Sequence, residues 1–154
     1  MQVMQVVNSY EDAGRAEAYS KLEFPGTYYL AYRDLPGIFS AHVNGNKAMD
    51  FGCGTGRSTR FLEKHGFDTV GVDISADMLK IARKTDPNGD YRLIGDGDLG
   101  QFGDNTCDLI LSAFTFDNIP TMEQKIRIFR EIKRVLKQEG RFVNLVSSPE
   151  IYIN

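Results

Sequence analysis

The segment Asp50-Phe51-Gly52-Cys53-Gly54-Thr55-Gly56, DFGCGTG, decides the fold of this chain. It overlaps the end of a short apolar segment, KAMDFG (47–52), and precedes a segment rich in helix formers, RSTRFLEKH (57–65). Closely spaced glycines between a strand and a helix let a ligand approach the backbone without an intervening Cβ. The pattern therefore predicts a strand, a glycine-rich loop and a helix at the start of a ligand-binding α/β unit.

Downstream of this loop, apolar strands alternate with helices. We expect strands at 47–52, 68–75, 90–97, 107–114 and 141–148, helices at 57–65, 76–84 and 121–138, and a loop at 98–106. Gly140 is expected to lie beyond the end of the last helix. The alternation is typical of a parallel sheet covered on both faces. Right-handed connections favour the strand order 3-2-1-4-5, with the binding crevice between the first and fourth strands.

Upstream of the loop, the sequence predicts helices. The segment 8–22 reads as a helix that Pro25-Gly26 ends, and an aromatic, amphipathic stretch follows at 27–35 before Pro36-Gly37 interrupts it. No linker or repeat divides the 154 residues. We expect a single domain, 1–154, with a helical N-terminal lid region (1–45) and an α/β core (46–154).

An acidic residue, Asp73, ends the second predicted strand about twenty residues beyond Gly52, where a carboxylate can accept hydrogen bonds from ribose hydroxyls. The combination points to a cofactor that contains a nucleoside. The loop has the spacing GxGxG, whereas dinucleotide-binding loops have GxGxxG and P-loops continue into GK[ST]. A nicotinamide-dependent oxidoreductase is therefore the less favoured alternative, and a purely structural glycine turn is another.

The segment DFGCGTGRSTRFL resembles the first motif of the class I S-adenosylmethionine-dependent methyltransferases. The resemblance continues through VGVDISADMLKIAR, IGDGD, CDLILSAFTFDNIP and RVLKQEGRFV, and covers about residues 47–146. It implies a Rossmann-like three-layer sandwich that binds S-adenosylmethionine and releases S-adenosylhomocysteine. By match, the methionine part of the cofactor lies on Asp50, Gly52, Cys53, Gly54 and Gly56, and near Ser112 and Ala113. Asp73 matches the acid on the ribose, Ile74 the apolar neighbour of the adenine, and Asp96, with Gly97 beside it, the acid near the adenine amino group.

The activity implied is methyl transfer to an unidentified acceptor, which we expect to be a small molecule. Aromatic residues before the first strand often belong to a lid in this family, and Tyr28 is our candidate for a cofactor contact through cation–π attraction to the sulfonium. Packing of its helix on the sheet is an equally good reading of Tyr28. Asp117 is the carboxylate nearest the expected site, but a turn or helix-cap role before Pro120 is favoured. No general base is assigned.

The resemblance stops before the C-terminal helix and antiparallel hairpin that usually complete the family's sheet. From the sequence alone we expect a chain without that hairpin, in which the fifth strand is an exposed edge that favours a homodimer. A truncated S-adenosylmethionine-binding module without turnover is the alternative to an active enzyme.

The composition of the chain excludes several other functional classes. The net charge is −3, which argues against a dedicated nucleic-acid binder, and the basic residues of the last helix alternate with acidic ones. No apolar run is long enough to cross a membrane, and no signal peptide is recognised, so the expected location is the cytoplasm. Two isolated cysteines and two isolated histidines predict reduced thiols and no metal site.

Overall fold

A computed structural model describes residues 27–148 of the chain. The predicted helix at 8–22 and its stop at Pro25-Gly26 lie outside the described residues. The helices are α1 (Thr27–Arg33), α2 (Leu35–His42), α3 (Arg57–Lys64), α4 (Ala76–Thr85) and α5 (Met122–Val135), with a 3₁₀ turn at Phe116–Asn118. The strands are β1 (Lys47–Phe51), β2 (Asp68–Asp73), β3 (Asp90–Leu93), β4 (Cys107–Ala113) and β5 (Leu136–Leu145).

The five strands form one parallel sheet in the order β3-β2-β1-β4-β5, which confirms the predicted order and class. The central strands β1 and β4 are almost entirely buried, as expected where helices cover both faces of a parallel sheet. Because β1 lies between β2 and β4, the chain changes direction across the sheet at β1 and β4. The carboxyl ends of these two strands form the crevice where open α/β sheets bind ligands.

Two hydrophobic layers hold the helices on opposite faces of the sheet. On one face α1, α2 and α3 pack through residues such as Tyr32, Phe39 and Leu62, and Leu79 and Ala82 of α4 pack with Cys53 and Tyr91. On the other face the helix α5 packs through its buried residues Ile128, Ile132 and Val135. The result is the predicted three-layer arrangement.

The junction between α5 and β5 differs from the prediction. The helix ends at Val135 rather than 138, and β5 begins at Leu136 rather than 141. Leu136 pairs with Cys107 of β4, and a register irregularity separates this pair from the next, Leu109 with Arg141. Gly140 therefore lies inside the irregular strand, where a Cβ would meet the Cys107 carbonyl oxygen at 3.0 Å. Pairing with the buried strand outweighs the helix propensity of this segment.

The other boundaries agree more closely. Strands β2 and β3 end at Asp73 and Leu93, earlier than the predicted residues 75 and 97, because the chain turns there into a helix cap and a glycine-containing loop. The segment 98–106 is a loop, as predicted. The break between the first two described helices falls at Asp34, and Pro36 lies in the first turn of α2. No helix within 27–148 has the length and apolarity to cross a bilayer.

Candidate functional site

The glycine-rich loop joins β1 to α3 at the carboxyl edge of the sheet. It forms one side of a pocket with an empty volume of about 320 Å³, including space open to solvent. The pocket is also bordered by the N-terminal helix α1 and by the end of β4. Its lining residues are Tyr28, Tyr32, Gly52, Cys53, Gly54, Thr55, Arg57, Ser58 and Ala113.

Close packing requires glycine at two positions of the loop. Gly52 has a φ of +76°, and a Cβ there would lie 2.1 Å from Thr115 Oγ1. Gly56 has a φ of +84°, and its Cβ would lie 2.6 Å from the Tyr91 hydroxyl. Since L side chains avoid this backbone region and no space exists for a Cβ, the glycines are needed for the loop's shape.

The carboxylate of Asp50 lies at the N-terminus of α3. Its Oδ2 accepts hydrogen bonds from Ser58 Oγ at 2.5 Å and Thr59 Oγ1 at 2.7 Å, and the Thr59 backbone N–H also donates to the carboxylate. Asp50 is fully buried, and its other oxygen, Oδ1, has no hydrogen-bond partner. The side chain thus supplies the negative charge that a helix N-terminus favours.

This buried carboxylate dominates the electrostatics of the loop. Burial raises the pKa of Asp50 to about 6, although the hydrogen bonds from Ser58 and Thr59 oppose the shift. Burial, with the nearby Asp50 charge, also raises the pKa of Tyr32. A buried carboxylate with one unpaired oxygen favours a cation or a hydrogen-bond donor beside it.

The backbone N–H groups of the loop have partners within the protein. Those of Gly52 and Cys53 donate to the Val72 carbonyl oxygen at 2.8 and 2.9 Å, and that of Gly56 donates to Cys53. The Gly54 N–H donates to Asp73 Oδ2 at 2.8 Å. A loop that cradles a diphosphate points such groups at the ligand, whereas these four donate to groups of the protein.

Asp73 stands at the end of β2, next to the loop. Its two oxygens accept hydrogen bonds from the backbone N–H groups of Gly54 and Ser75, both at 2.8 Å. Burial raises the pKa of Asp73, and these two hydrogen bonds oppose the shift. The Ile74 backbone N–H also donates to this carboxylate, which keeps acceptor capacity for a ligand. The next residue, Ile74, leaves 41% of its surface exposed, which provides an apolar face beside this acid.

Asp96 and Gly97 lie in the loop after β3. The Asp96 carboxylate is exposed and accepts a hydrogen bond from Arg127 of α5 at 2.6 Å. Gly97 has a φ of +68°, and a Cβ there would lie 2.4 Å from Ile128. The structure therefore gives Gly97 a packing role against α5.

Ser112 and Ala113 end β4 at the same edge of the sheet. Ala113 lines the pocket, whereas the Ser112 side chain is fully buried and its Oγ has no hydrogen-bond partner. Across the pocket, the Tyr28 ring packs edge-on against Phe114 at 5.7 Å, and the Arg57 guanidinium lies 4.9 Å from its centre. Tyr28 therefore borders the pocket and packs on neighbouring side chains.

The structure gives Asp117 a tethering role. Its carboxylate accepts hydrogen bonds from the Ser147 backbone N–H at 3.0 Å and from Ser147 Oγ at 2.7 Å. These bonds hold the end of β5 against the 3₁₀ turn.

The sequence analysis missed Thr115. Its hydroxyl donates to the carbonyl oxygens of Phe51 at 3.1 Å and Gly52 at 3.4 Å, and so joins the ends of β1 and β4. No local signal marks this residue, because its partners lie more than 60 positions away.

Both cysteines are buried free thiols, and burial raises the pKa of each. The Cys53 side chain packs with Leu79 and Tyr91, and the residue also lines the pocket. Within residues 27–148, no cluster of His, Cys, Asp or Glu has the composition of a metal site.

The basic residues near the end of the chain mainly form intramolecular contacts. Arg134 donates to Glu131, to Asp104 and to the carbonyl oxygens of Leu99 and Phe102, which fixes the loop before β4. Arg127 pairs with Asp96.

Comparisons with known proteins agree with this geometry. Residues 49–144 match the model of a methyltransferase domain family. The demethylmenaquinone methyltransferase of Thermotoga maritima is 37% identical over 109 residues, which are 70% of this chain and 46% of that protein. The N-demethylindolmycin N-methyltransferase of Streptomyces griseus is 30% identical over 145 residues, 92% of this chain and 61% of that protein.

Solved structures show the same fold. A crystal structure of a putative S-adenosyl-L-methionine-dependent methyltransferase from Methanococcus maripaludis has a TM-score of 0.70 at 22% identity and covers 94% of this chain and 66% of that one. A protein from Pyrococcus horikoshii has a TM-score of 0.69 at 27% identity, with coverage of 83% and 64%. The chain spans about half to two thirds of the length of these relatives. With its glycine loop, its strand order and its matched residues, this chain belongs to the class I S-adenosylmethionine-dependent methyltransferase family.

Proposed function

We propose that this chain binds S-adenosylmethionine at the carboxyl ends of β1, β2 and β4 and transfers its methyl group to a small-molecule acceptor. The observation that carries the proposal is the position of Asp50. Its carboxylate occupies the N-terminus of α3, the place where a dinucleotide fold receives a pyrophosphate. A second anion there would be repelled, which disfavours a nicotinamide dinucleotide.

The buried Asp50 Oδ1 also suits the methionine end of the cofactor. It has no partner among residues 27–148, so an ammonium group held nearby would offset the cost of its burial. Gly52, Cys53 and Gly54 line the pocket at this end of the cofactor, while Gly56 gives the loop its shape. Ser112 and Ala113 belong to the opposite side of the same crevice.

The nucleoside end fits the edge of β2. The remaining acceptor capacity of Asp73 can take a hydrogen bond from the ribose diol, and Ile74 offers its exposed side chain to the adenine. Asp96 is the expected partner of the adenine amino group. Because Arg127 already binds one of its oxygens, a contact to adenine would use the other oxygen or a rearranged ion pair.

S-adenosylmethionine supplies a methyl group that its sulfonium already activates. The chain therefore mainly has to bind and orient the cofactor and the acceptor, and to exclude water. The aromatic side chains of α1 border the pocket and can limit access of water, while the glycine loop fixes the position of the cofactor. No described side chain is assigned as a general base, and the tether to Ser147 supports a structural role for Asp117.

Only the chemical class of the acceptor is proposed, and it is inferred from the names of the relatives. Two of them are named for methyl transfer to a demethylmenaquinone and to demethylindolmycin, which are small organic molecules. A binding module without turnover is the second candidate. Turnover with a panel of oxygen, nitrogen and carbon acceptors distinguishes the two.

Calorimetric titration with S-adenosylmethionine, S-adenosylhomocysteine and NAD tests the proposed cofactor. We expect binding of the first two compounds and none of NAD. In Asp73→Asn, the loss of charge-assisted hydrogen bonds to ribose should weaken binding about 10- to 100-fold. Asp90→Asn is the matched control. Asp90 is an exposed acid at the start of β3, and its side chain contacts Arg92.

Thermal melting of both variants checks that the fold is intact. Binding of NAD in preference to S-adenosylmethionine, or an equal loss of affinity in Asp73→Asn and Asp90→Asn, would contradict the assignment.

The homodimer is likewise a proposal. Within the described residues β4 is the one strand that pairs with β5, and α5 exposes an apolar row, Met122, Ile126 and Phe129, beside it. Such an edge favours pairing with a second copy. Light scattering across a concentration series is expected to show a dimer, and a constant monomer mass would exclude it. The cytoplasmic location also remains a prediction.

A further inference from the structure

Phe114 follows β4 with a φ of +62°, in the left-handed region that non-glycine residues avoid. Within residues 27–148, Asn105 is the one other non-glycine residue with a positive φ. Asparagine tolerates this conformation, whereas a bulky aromatic residue in it is an outlier that the surroundings must enforce.

The backbone of Phe114 is held from two sides. Its N–H donates to the Leu145 carbonyl oxygen at 2.8 Å, and its carbonyl oxygen accepts a hydrogen bond from Asn118 Nδ2 at 3.3 Å. These contacts come from the end of β5 and from the 3₁₀ turn. Two separate elements therefore stabilise a conformation that the residue itself disfavours.

Phe114 contacts the lining of the pocket through its neighbours. The ring packs edge-on against Tyr28, with ring centres 5.7 Å apart, and Tyr28 lines the pocket together with Ala113, the residue before Phe114. The following residue, Thr115, binds the carbonyl oxygens at the start of the glycine loop. The Phe114 ring thus packs on helix α1 just beyond the end of β4, beside two residues that line the pocket.

We propose that Phe114 and Tyr28 form an aromatic wall of the methyl-acceptor site, and that this wall selects acceptors that present a flat, apolar ring. The inference rests on the proposed methyl transfer and adds the substrate class. The Phe114 and Tyr28 rings pack edge-to-face, and an aromatic ring of the acceptor can pack on them in the same way. Such packing favours an aromatic acceptor over a saturated one of equal size. The Arg57 guanidinium already lies over the Tyr28 ring of this wall.

The test uses two probes with one hydroxyl and the same carbon skeleton, 2-naphthol and decahydro-2-naphthol. Their binding to the full chain saturated with S-adenosylhomocysteine is measured by calorimetry, so that the readout does not depend on turnover. The wild-type chain should bind 2-naphthol about 5- to 10-fold more tightly than its saturated analogue, the range expected for aromatic pairs. Phe114→Leu, which keeps an apolar side chain, should reduce this preference to less than about twofold.

Two further variants separate the ring from the strain. Phe114→Gly removes both and should lose the preference, whereas Asn105→Gly relieves a positive φ away from the pocket and should keep it. Both glycine variants suit the observed backbone and should fold. In all of them the affinity for S-adenosylhomocysteine should stay within about twofold of wild type, because the ring is assigned to the acceptor.

The outcomes are distinguishable. Failure of the wild-type chain to bind S-adenosylhomocysteine contradicts the proposed function itself. Normal binding of that compound without a preference for the planar probe, or with the preference intact in Phe114→Leu, overturns the aromatic wall. Loss of S-adenosylhomocysteine affinity in Phe114→Leu would assign the ring to the cofactor and would equally overturn it.

Discussion

The carboxyl edge of the sheet has two halves that are built differently. At the ends of β1 and β2, glycines carry the positive φ angles, and the hydrogen bond between Gly54 and Asp73 joins residues 19 positions apart. At the ends of β4 and β5, Phe114 carries a positive φ, and the bonds of Thr115 and Asp117 reach residues 30 or more positions away. The first half follows from a contiguous motif, whereas the second depends on tertiary contacts.

The two halves meet where Thr115 packs on Gly52. The hydroxyl of Thr115 binds the main chain of the glycine loop, and the missing Cβ of Gly52 leaves room for it. The local motif thus has a tertiary requirement, and disturbing this contact should affect both halves.

The largest expected effect is that of Gly52→Ala. A left-handed alanine costs about 1 to 2 kcal/mol, and overlap of its Cβ with Thr115 adds about 1 to 3 kcal/mol. We therefore expect the free energy of unfolding to fall by roughly 3 to 4 kcal/mol in denaturant titrations. Gly66→Ala is the matched control, since Gly66 has a φ of +89° but nothing within 4 Å of a Cβ, and it should show only the backbone cost.

Thr115→Ala, introduced together with Gly52→Ala, should restore part of the loss. The Thr115 Oγ1 and Cγ2 atoms, which lie 2.1 and 2.4 Å from where a Cβ on residue 52 would stand, would be gone, while the Cβ of residue 115 would remain at 2.8 Å. Equal destabilisation by Gly52→Ala and Gly66→Ala would show that the halves are not coupled at this contact.

The next effect concerns the buried charge of Asp50, which lies in the half at the ends of β1 and β2, the cofactor half. The half at the ends of β4 and β5 is the acceptor half. The folded pKa of Asp50 is about 6, above its unfolded value, so the folded state binds more protons and stability falls as pH rises between about 4 and 6. Asp50→Asn removes this dependence. Its stability relative to wild type should therefore improve by about 2 to 3 kcal/mol from pH 4 to pH 7.

Paired denaturant titrations at both pH values measure this difference. Asp108→Asn provides a contrast, because the effect of burial on Asp108 is outweighed by hydrogen bonds from Lys137 and the Lys47 N–H, which lower the pKa of its carboxyl. Its relative stability should worsen as pH rises from the acidic range. A difference between Asp50→Asn and wild type that does not change with pH would contradict the ionisation of Asp50 in the folded protein.

The contrast between the halves explains how far the sequence could be interpreted. The glycine spacing, the acid that ends β2 and the alternation of strands and helices predict the order of the sheet and bring Asp50 and Asp73 to one edge. These signals are local, and the physical rules that connect them to structure are strong. The sequence contains no comparable signal for Thr115, for the conformation of Phe114 or for the start of β5 at Leu136.

These features arise from contacts that only the folded chain creates. Thr115 is an ordinary threonine until β1 and β4 lie side by side, and Leu136 would continue a helix if Cys107 did not pair with it. Gly97 shows the same effect, since no local signal indicates that the absence of its Cβ makes room for Ile128.

The smallest expected effect tests the tether in the acceptor half. Asp117→Ala removes the acceptor of the Ser147 N–H and hydroxyl, and should lower the free energy of unfolding by about 1 kcal/mol because the site is exposed. Asp117→Asn keeps an acceptor oxygen and should cost less than half as much. Hydrogen exchange at the Ser147 amide should accelerate in Asp117→Ala, with little change at Gly54 in the cofactor half.

A methyl-transfer assay distinguishes a structural role of Asp117 from a catalytic one. If Asp117 only holds the end of β5, both variants should keep their affinity for S-adenosylmethionine, and Asp117→Asn should keep most of the turnover. A loss of turnover in Asp117→Asn with an unchanged Ser147 exchange rate would instead identify Asp117 as the base. In that case the acceptor half would carry the proton transfer as well as the proposed substrate wall, because Asp117 lies only three residues after Phe114.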